Sequence, residues 1–353
     1  MLTGGALVTV ITPAYNVGKW VGAAVDSVLR QTEDRFEYIV VDDGSTDDTA
    51  DVVSGRVAGD GRLRLISTAN AGSAEARNVG LAQVRTPFVA FLDGDDIWHK
   101  DFLRWQLAAM QSAPAGVGAT FCHTRVMLES GQVVGLRLQP TGFFDLDRLL
   151  VENNPTHNGS SLLIRRSCFD EVGVFDVRLS SCIDFDMWLR IADESSTPLF
   201  WGHRRFLVDM RLMRTGSISS NRPARLGALD KIIATYAPKM TRLPPDLAYV
   251  RPAVLAYRDG FDEFGNRWAV HARKTGSAVL GRTLWGLSVL AWSHAGPKGR
   301  LRLRALRNSA WTGMYRGLAF AAAILTRIKC APGRGQPARS RITTGMIRDV
   351  FCS

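Results

Sequence analysis

The sequence predicts an α/β protein built on a largely parallel sheet, and three observations carry that expectation. Strand-like and helix-like segments alternate four times within about the first hundred residues, the pattern of a parallel sheet covered by crossover helices. Polar or acidic clusters at 13–16, 42–45 and 93–96 each follow a predicted strand directly, and ligands of such sheets bind beyond the carboxyl ends of the strands. From about residue 117 the alternation stops and short extended segments look antiparallel.

The elements can be justified in order. Residues 7–12 (LVTVIT) are β-branched and apolar and predict the first strand. Trp20, Val21, Ala24, Val25, Val28 and Leu29 recur at helical spacing within 17–30, and Asn16 could cap that helix. FEYIVV (36–41) predicts a second strand. Ser45 or Thr46 could cap the next helix, with Asp47 and Asp48 in its first turn, where the helix dipole favours acids. Residues 63–66 predict a third strand, 73–84 a helix and 88–92 a fourth strand. FCHTRVML and VVGLRLQ predict two antiparallel strands joined around Ser130-Gly131, and SSLLIRR another. Phe185, Trp188, Leu189 and Ala192 give 184–193 helical spacing, and 205–213 looks extended. Helices are expected at about 225–237, 251–273 and 276–293, and again over 300–328, where Trp311, Met314, Tyr315, Leu318, Ala322 and Leu325 form one stripe. After Lys329 the composition is that of a disordered tail.

The totals exclude several function classes. With 353 residues, 46% hydrophobic and 22% charged, the chain has the composition of a globular protein, and it lacks a run of about 18 apolar residues that would span a bilayer. The start is read as a first strand rather than a signal peptide, since no basic leader region precedes it. Five cysteines without a CxxC pair argue against a disulfide framework or structural zinc and fit a reducing cytosol. Asn158-Gly159-Ser160 matches a glycosylation sequon and is read as chance. The net charge of +11 is local: 12 of the 44 Lys and Arg but one of the 33 acids lie from Gly296 onward, leaving 32 of each before it. That pattern suggests a basic arm for an anionic surface, with no nucleic-acid reading module.

The stretch PFVAFLDGDDIW (87–98) poses the chemical question, because a buried strand runs into Asp93, Asp95 and Asp96. The acids could form a solvated turn. They could also hold a hard divalent cation, Mg²⁺ or Mn²⁺, which prefers carboxylate oxygen and shares its shell with substrate phosphates; Gly94 would let a phosphate or sugar approach the backbone. Asp42-Asp43-Gly44-Ser45 could be a turn and cap, or could accept hydrogen bonds from a nucleobase or ribose. Tyr15 could stack beside a base. Arg77 could be a surface cation or a phosphate partner. Of the two acids at a helix start, Asp184 is the better general-base candidate, and Asp186 is equally explained as a dipole-favoured acid.

These segments, taken together, resemble the large family 2 glycosyltransferases, inverting enzymes with a GT-A fold. The matching elements are VITPAYN (10–16), SVLRQT (27–32), YIVVDDGSTDDT (38–49), NAGSAEARNVG (70–80), FVAFLDGDDIW (88–98) and DFDMWLRIA (184–192), in that order. The resemblance covers roughly 7–220 and implies a mixed sheet with covering helices. It implies a GT-A catalytic domain over 1–222, with a nucleotide-binding half to about 115 and an acceptor half over about 116–222. A helical region (223–295), a basic amphipathic segment (296–330) and the tail (331–353) would follow. Pro13, Tyr15, Asp42 and Asp43 match nucleotide-contacting positions, Arg77 and Asn78 positions beside the donor, and Asp93 and Asp95 the DxD motif. Asp95 is then the metal ligand, Asp93 lies nearer the ribose with Gly94 beside it, and Asp184 is the catalytic base.

Two departures stand out. Ile183 occupies the position where the family usually has Glu, and Arg214 stands where a His would be expected; an Arg cannot ligate metal but can grip a diphosphate. The implied function is a hexosyltransferase-type glycosyltransferase moving a sugar from a nucleotide-diphosphate-sugar, a UDP-sugar being favoured, to a glycan or lipid-linked acceptor in cell-surface glycan synthesis. Mg²⁺ or Mn²⁺ would be its cofactor, and the cytoplasm, with the basic segment on the inner face of the cell membrane, its place. The rival expectation is a non-catalytic nucleotide-sugar-binding or scaffolding module, supported only by Ile183.

Overall fold

A computed structural model describes residues 5–152, 154, 156, 158–212, 221–243, 245, 247–249, 252–253, 256, 261, 263–265 and 267–268. The chain divides into two units, 1–296 and 297–353, and the described residues belong to the first. The expected helices over 276–293 and 300–328, the tail, Arg214, Cys330 and Cys352 lie outside the described residues. Of the 251–273 helix, positions 252, 253, 256, 263–265, 267 and 268 are helical, Phe261 is not, and the rest lie outside.

The first half follows the expected alternation. In order come β1 (Val8–Ala14), α1 (Gly18–Leu29), β2 (Phe36–Asp42), α2 (Thr49–Val57), β3 (Leu63–Ser67), α3 (Ser73–Ala82) and β4 (Phe88–Phe91). Next are β5 (Ile97–Trp98), α4 (Phe102–Ser112), β6 (Val117–Leu128), β7 (Val133–Arg137), β8 (Gly142–Phe144) and α5 (Leu146–Val151). β9 (Leu162–Arg165), α6 (Arg166–Val172), α7 (Ile183–Glu194), β10 (Leu199–Leu212) and α8 (Arg222–Tyr236) complete the order. The strands form one mixed sheet in the order β3-β2-β1-β4-β9-β6-β10-β5, with β7 on β6 and β8 on β10. β1 runs parallel to β2 and β4, and β2 to β3. β9 is antiparallel to both β4 and β6, which turns the sheet from parallel to mixed where the sequence pattern breaks.

Alternation along the strands splits the core between two faces. Val8, Val10 and Ala90 pack with Val21, Val25 and Val28 of α1 and Leu103, Leu107 and Met110 of α4. Ile11, Val89 and Phe91 face the other way, toward Leu81 of α3, Trp188 and Leu189 of α7, and Leu229 and Ile233 of α8. α8, which the sequence assigns largely to a separate helical region, thus shares a core with α7. Phe91, Phe175, Trp188 and Phe200 continue that layer edge to face, with neighbouring centroids 5.3–6.3 Å apart. Among the described residues no helix is long and apolar enough to cross a membrane. Cys122, Cys168 and Cys182 are free thiols.

Local differences from the sequence expectations have physical causes. α2 starts at Thr49, so Asp47 and Asp48 precede it rather than fill its first turn. The Asp47 carboxylate accepts from the amides of Gly18 (3.0 Å) and Thr49 (3.0 Å), joining the starts of α1 and α2. Asn16 does not cap α1. It sits at φ 51°, and its Oδ1 accepts from the Thr46 amide at 2.8 Å while its own amide donates to Ser45 Oγ at 3.0 Å. Two loops after neighbouring strands are therefore laced together before any ligand arrives. β10 begins at Leu199, six residues ahead of the expected extended run, because it pairs with both β6 and β8.

Candidate functional site

Because β1 lies between β2 and β4, the clusters at 13–16, 42–45 and 93–96 emerge side by side. The Asp43 amide donates to Ala14 O (2.8 Å) and the Leu92 amide to Ile11 O (3.0 Å), fixing both loops to the end of β1. Pro13 lies opposite Val41, one position before the end of the ladder between β1 and β2. Tyr15 is 49% exposed and stands free at the mouth, so a base could stack on it.

Asp42 and Asp43 are both buried. Asp42 Oδ1 accepts from the Ser45 amide at 3.1 Å and shapes its own turn. Asp43 is fully engaged: its two oxygens accept from the amides of Ala71 (2.8 Å) and Gly72 (2.9 Å). Its carboxylate positions the loop before α3. Gly44 enables that approach, since at φ +70° a Cβ there would lie 2.7 Å from the Asn70 amide nitrogen. Asn78 has a similar task. Its amide donates to Phe175 O (3.0 Å) and accepts from Phe175 N (2.9 Å), clamping α3 to the segment after α6. Asn78, expected beside the donor, has both ends of its amide engaged by Phe175. Gly94 is buried against β1, where a Cβ would meet Val17 Cγ2 at 3.0 Å and Pro13 O at 3.5 Å. Its missing side chain allows this close packing of the loop on β1.

Arg77, 8% exposed, donates to Asp93 Oδ1 at 2.6 Å and to Ser73 O at 3.0 Å. Asp184 occupies the first turn of α7, behind Cys182 in a left-handed conformation (φ 58°). Burial raises the pKa of Asp184; the charge of Arg77 opposes that rise, and Asp93 adds to it. The Phe185 amide donates to Asp184 Oδ1 at 2.9 Å, and the Asn154 side chain also favours its charged form. Asp95 is pushed up to about 6, first by burial and then by the negative charge of Asp93, with Arg211 opposing. Asp93, itself paired with Arg77, is thus the shared neighbour through which Asp95 and Asp184 belong to one acidic pole. Asp186, also in the first turn of α7, is set apart, held by Arg190 Nε at 3.0 Å and the Tyr236 hydroxyl at 3.4 Å.

Asn154, Ser160 and Arg211 are given no role in this pole by sequence reasoning, and Asp96 is noted there only as part of the acidic turn. Asp96 is buried, and its Oδ2 accepts from Ser160 Oγ (2.7 Å) and Asn158 Nδ2 (3.2 Å) and its Oδ1 from the Arg211 amide (2.9 Å). Ser160 Oγ also accepts from the Asp93 amide at 3.0 Å, so one hydroxyl ties both ends of the acidic turn. Arg211 Nε donates to Asp95 O at 3.0 Å, and its Nη1 to the carbonyls of Leu128 (3.1 Å) and Glu129 (2.9 Å). Asn154, at φ 56°, stands beside Asp184. The apparent sequon 158–160 is this buried clamp. Ser160→Ala removes a donor from a buried carboxylate and is expected to destabilise the fold by about 1–3 kcal/mol. Urea unfolding checks this, and an unchanged midpoint would contradict it.

Known proteins share the sequence and the fold of this chain. The model of the family described as Glycosyl transferase family 2 matches residues 9–173. TuaG of Bacillus subtilis, a glycosyltransferase named for teichuronic acid biosynthesis, is 31% identical over 217 residues, covering 61% of this chain and 82% of TuaG. The chain belongs to glycosyl transferase family 2. An uncharacterized glycosyltransferase of Rickettsia felis is 32% identical over 195 residues, 54% of this chain, and this family member spans only 31% of that relative's length. The family fold is equally clear in solved structures. TarS 1–349 of S. aureus, in complex with UDP-GlcNAc, superposes with a TM-score of 0.60 at 17% identity, over 87% of this chain and 92% of that one. The mannosyltransferase PcManGT of Pyrobaculum calidifontis, in complex with GDP-Man and Mn²⁺, gives 0.56 at 20% identity, over 93% and 89%. These likenesses bear out the GT-A mixed sheet.

Proposed function

We propose that the chain transfers a sugar from a nucleotide-diphosphate-sugar to an acceptor hydroxyl with inversion and metal assistance, in the synthesis of a cell-surface glycan. The observation that carries this reading is the joining of Asp95 and Asp184 through the Arg77–Asp93 pair, at the strand ends where such sheets bind nucleotides. Tyr15, Pro13 and Asp42 line the nucleotide side; Asp43 and Asn78 hold the surrounding loops. A UDP-sugar remains the favoured donor, and the name of TuaG supports a polysaccharide or glycolipid product.

The donor set suits a divalent ion that shares its coordination shell with the donor phosphates. The described residues contain no group of three His, Cys, Asp or Glu able to cage a metal. Asp93 and Asp95 instead offer hard oxygens whose mutual repulsion a cation would relieve. Asp95, assisted by Asp93, would hold Mg²⁺ or Mn²⁺ together with the donor phosphates. Such an ion, when bound, neutralises charge on the departing nucleotide diphosphate.

The protein's own part follows. Asp184 accepts the acceptor's hydroxyl proton while that oxygen bonds to the anomeric carbon. The bond from that carbon to the diphosphate breaks on the opposite face, and one displacement inverts the centre. Arg77 keeps Asp93 aligned between the two carboxylates. Ile183, the departure that motivates a non-catalytic reading, is a buried core residue and leaves Asp184 in place. Thermal-shift screening with UDP-, GDP- and dTDP-sugars, with and without Mn²⁺, tests the reading; no metal-dependent shift with any of them would refute it.

The pH dependence has a definite sign. Because the folded-state pKa of Asp95 is raised to about 6, its protonation stabilises the metal-free fold at low pH, and that contribution is lost as pH rises through 6. Cation binding needs the charged form. The Mn²⁺-induced rise in Tm should therefore be full above about pH 7 and shrink as pH falls through 6. A shift that is constant down to about pH 5 would contradict this.

The basic segment 296–330, outside the described residues, is proposed to meet an anionic membrane surface from the cytoplasmic side. Salt-sensitive flotation with anionic vesicles is the expected behaviour, and its absence would end that part of the reading.

A further inference from the structure

Where α4 meets β10, the sheet edge gathers cations and aromatic rings that have no part in the chemistry above. β6 advances from Phe121 to His123 while β10 advances from Gly202 to Phe206, so residues 203–205 bulge out of the ladder. Arg204 and Arg205 are exposed there. His203 Nε2 lies 3.2 Å from Gln106 Oε1, which ties the bulge to α4. Burial lowers the pKa of His203 to about 4, so it is not one of the cations at neutral pH. Next to Gln106, the Trp105 indole carries two guanidinium groups, that of Arg205 at 3.2 Å from the ring centroid and that of Arg104 at 5.2 Å. Earlier in β10, Trp201 pairs across the strands with Phe143 of β8, and their rings stack at 6.0 Å. Trp105 and Trp201 are half-buried against one core cluster, while Phe143 is 45% exposed.

The charges of this face are not balanced. Among the described residues neither Arg204 nor Arg205 has an ion pair or a hydrogen bond, and Arg205 is held by the indole alone. The carboxylate in contact with Arg104 is that of Asp101, at 3.1 Å, and it is shared with the Thr32 hydroxyl (2.8 Å) and His99 (3.7 Å). Arg125, Arg148 and Arg190, by contrast, each lie 2.5–3.0 Å from a carboxylate of their own. Stacking on an indole orients a guanidinium without neutralising it and leaves its N–H fork free for phosphate oxygens. Half-buried tryptophans set among arginines suit the boundary between phospholipid headgroups and acyl chains. The exposed Phe143 ring adds apolar area for the acyl side.

We propose that this face, with Arg104 and Trp105 of α4, Arg204 and Arg205 of β10 and Phe143 of β8, docks on an anionic phospholipid surface. It is a contact of the sheet domain itself, separate from the basic segment 296–330. β10 also pairs with β5, which starts directly after the acidic turn 93–96, so the lipid contact and the acidic turn share one edge of the sheet. Under the transferase reading this sets the cleft beside a lipid-linked acceptor. Lipid binding itself is decided whether or not that reading holds.

Flotation of the full chain with vesicles of pure phosphatidylglycerol tests the proposal, with pure phosphatidylcholine vesicles as the control of zero net charge. The segment 296–330 is present in every variant, so a loss reports on this face. The double substitution Arg104→Gln/Arg205→Gln should weaken binding to phosphatidylglycerol about tenfold or more. Phe143→Ser should weaken it by about fivefold through the apolar contact. All three side chains are exposed, and thermal melting checks that the fold is kept. No binding by the wild type, or equal binding by wild type and both variants, overturns the proposal. A wild type that prefers a single-stranded oligonucleotide to the vesicles, with the variants losing that binding instead, assigns the face to nucleic acid and also overturns it. So does concentration-dependent self-association that the same substitutions abolish, which assigns the face to a second copy of the chain.

Discussion

Asp184→Asn is expected to lower turnover at saturating donor by roughly 10²–10⁴-fold and to leave nucleotide affinity nearly unchanged. The asparagine is close in shape and can still accept from the Phe185 amide, which donates to Asp184 Oδ1 at 2.9 Å. It cannot take a proton. Burial raises the carboxyl's pKa, which makes it a stronger base, while Arg77 keeps the rise in check. The acidic limb of the wild-type pH–rate profile should accordingly lie above the ordinary aspartate range and vanish in the variant. Single-turnover assays with a fixed donor concentration measure the effect. Unchanged turnover would remove Asp184 from the mechanism.

Asp95→Asn should act on the other side of the cleft and in two opposite directions. Removing the carboxylate should cost at least about a hundredfold in metal-dependent turnover, because the departing diphosphate loses its preorganised counter-charge. The same change relieves a charge that burial and Asp93 disfavour. The metal-free variant should therefore melt higher than the wild type, by an amount on the order of 1 kcal/mol at neutral pH. The Mn²⁺-induced rise in Tm should disappear. Melting curves of both proteins, with and without Mn²⁺, separate the two effects; a variant that keeps the full Mn²⁺ response would show that Asp95 is not the ligand.

Much of the first half was legible because local signals and tertiary placement agree there. β1, β2, β3 and β4 are short apolar runs, each followed by a turn-forming cluster, and β1 lies centrally enough to bring three such clusters together. Asp93, Asp95 and Asp184 could be picked out because a carboxylate after a strand or at a helix start is conspicuous. The sequence does not reveal α4, although Phe102, Leu103, Gln106, Leu107 and Met110 form its buried stripe. Its polar member Gln106 and its start straight after the acidic turn hide the period. β8, α5 and α6 are too short to show one.

The supporting residues were illegible for a different reason. Nothing in Asn158-Gly159-Ser160 says that its hydroxyl will bridge Asp93 and Asp96, residues 60 or more positions away in the chain. Arg211 is equally mute, since its partners are main-chain carbonyls contributed by three loops and strands. Conversely, Asp43 and Asn78 carry side chains suited to a nucleotide but spend both ends on neighbouring backbone. Composition and motif identify candidate polar groups; only the three-dimensional partners show which of them are still free to meet a ligand.

The central claim is that one cleft presents Asp95 to the donor diphosphate and Asp184 to the far side of its sugar. A crystal structure with a bound nucleotide-sugar and Mn²⁺, using anomalous scattering to place the metal, tests this most directly. The account predicts the Mn²⁺ peak coordinated by Asp95 and the diphosphate, with the Asp184 carboxylate facing the anomeric carbon from the side opposite the leaving oxygen. A nucleotide bound away from the ends of β1, β2 and β4, or Asp184 on the same face as the diphosphate, would contradict it.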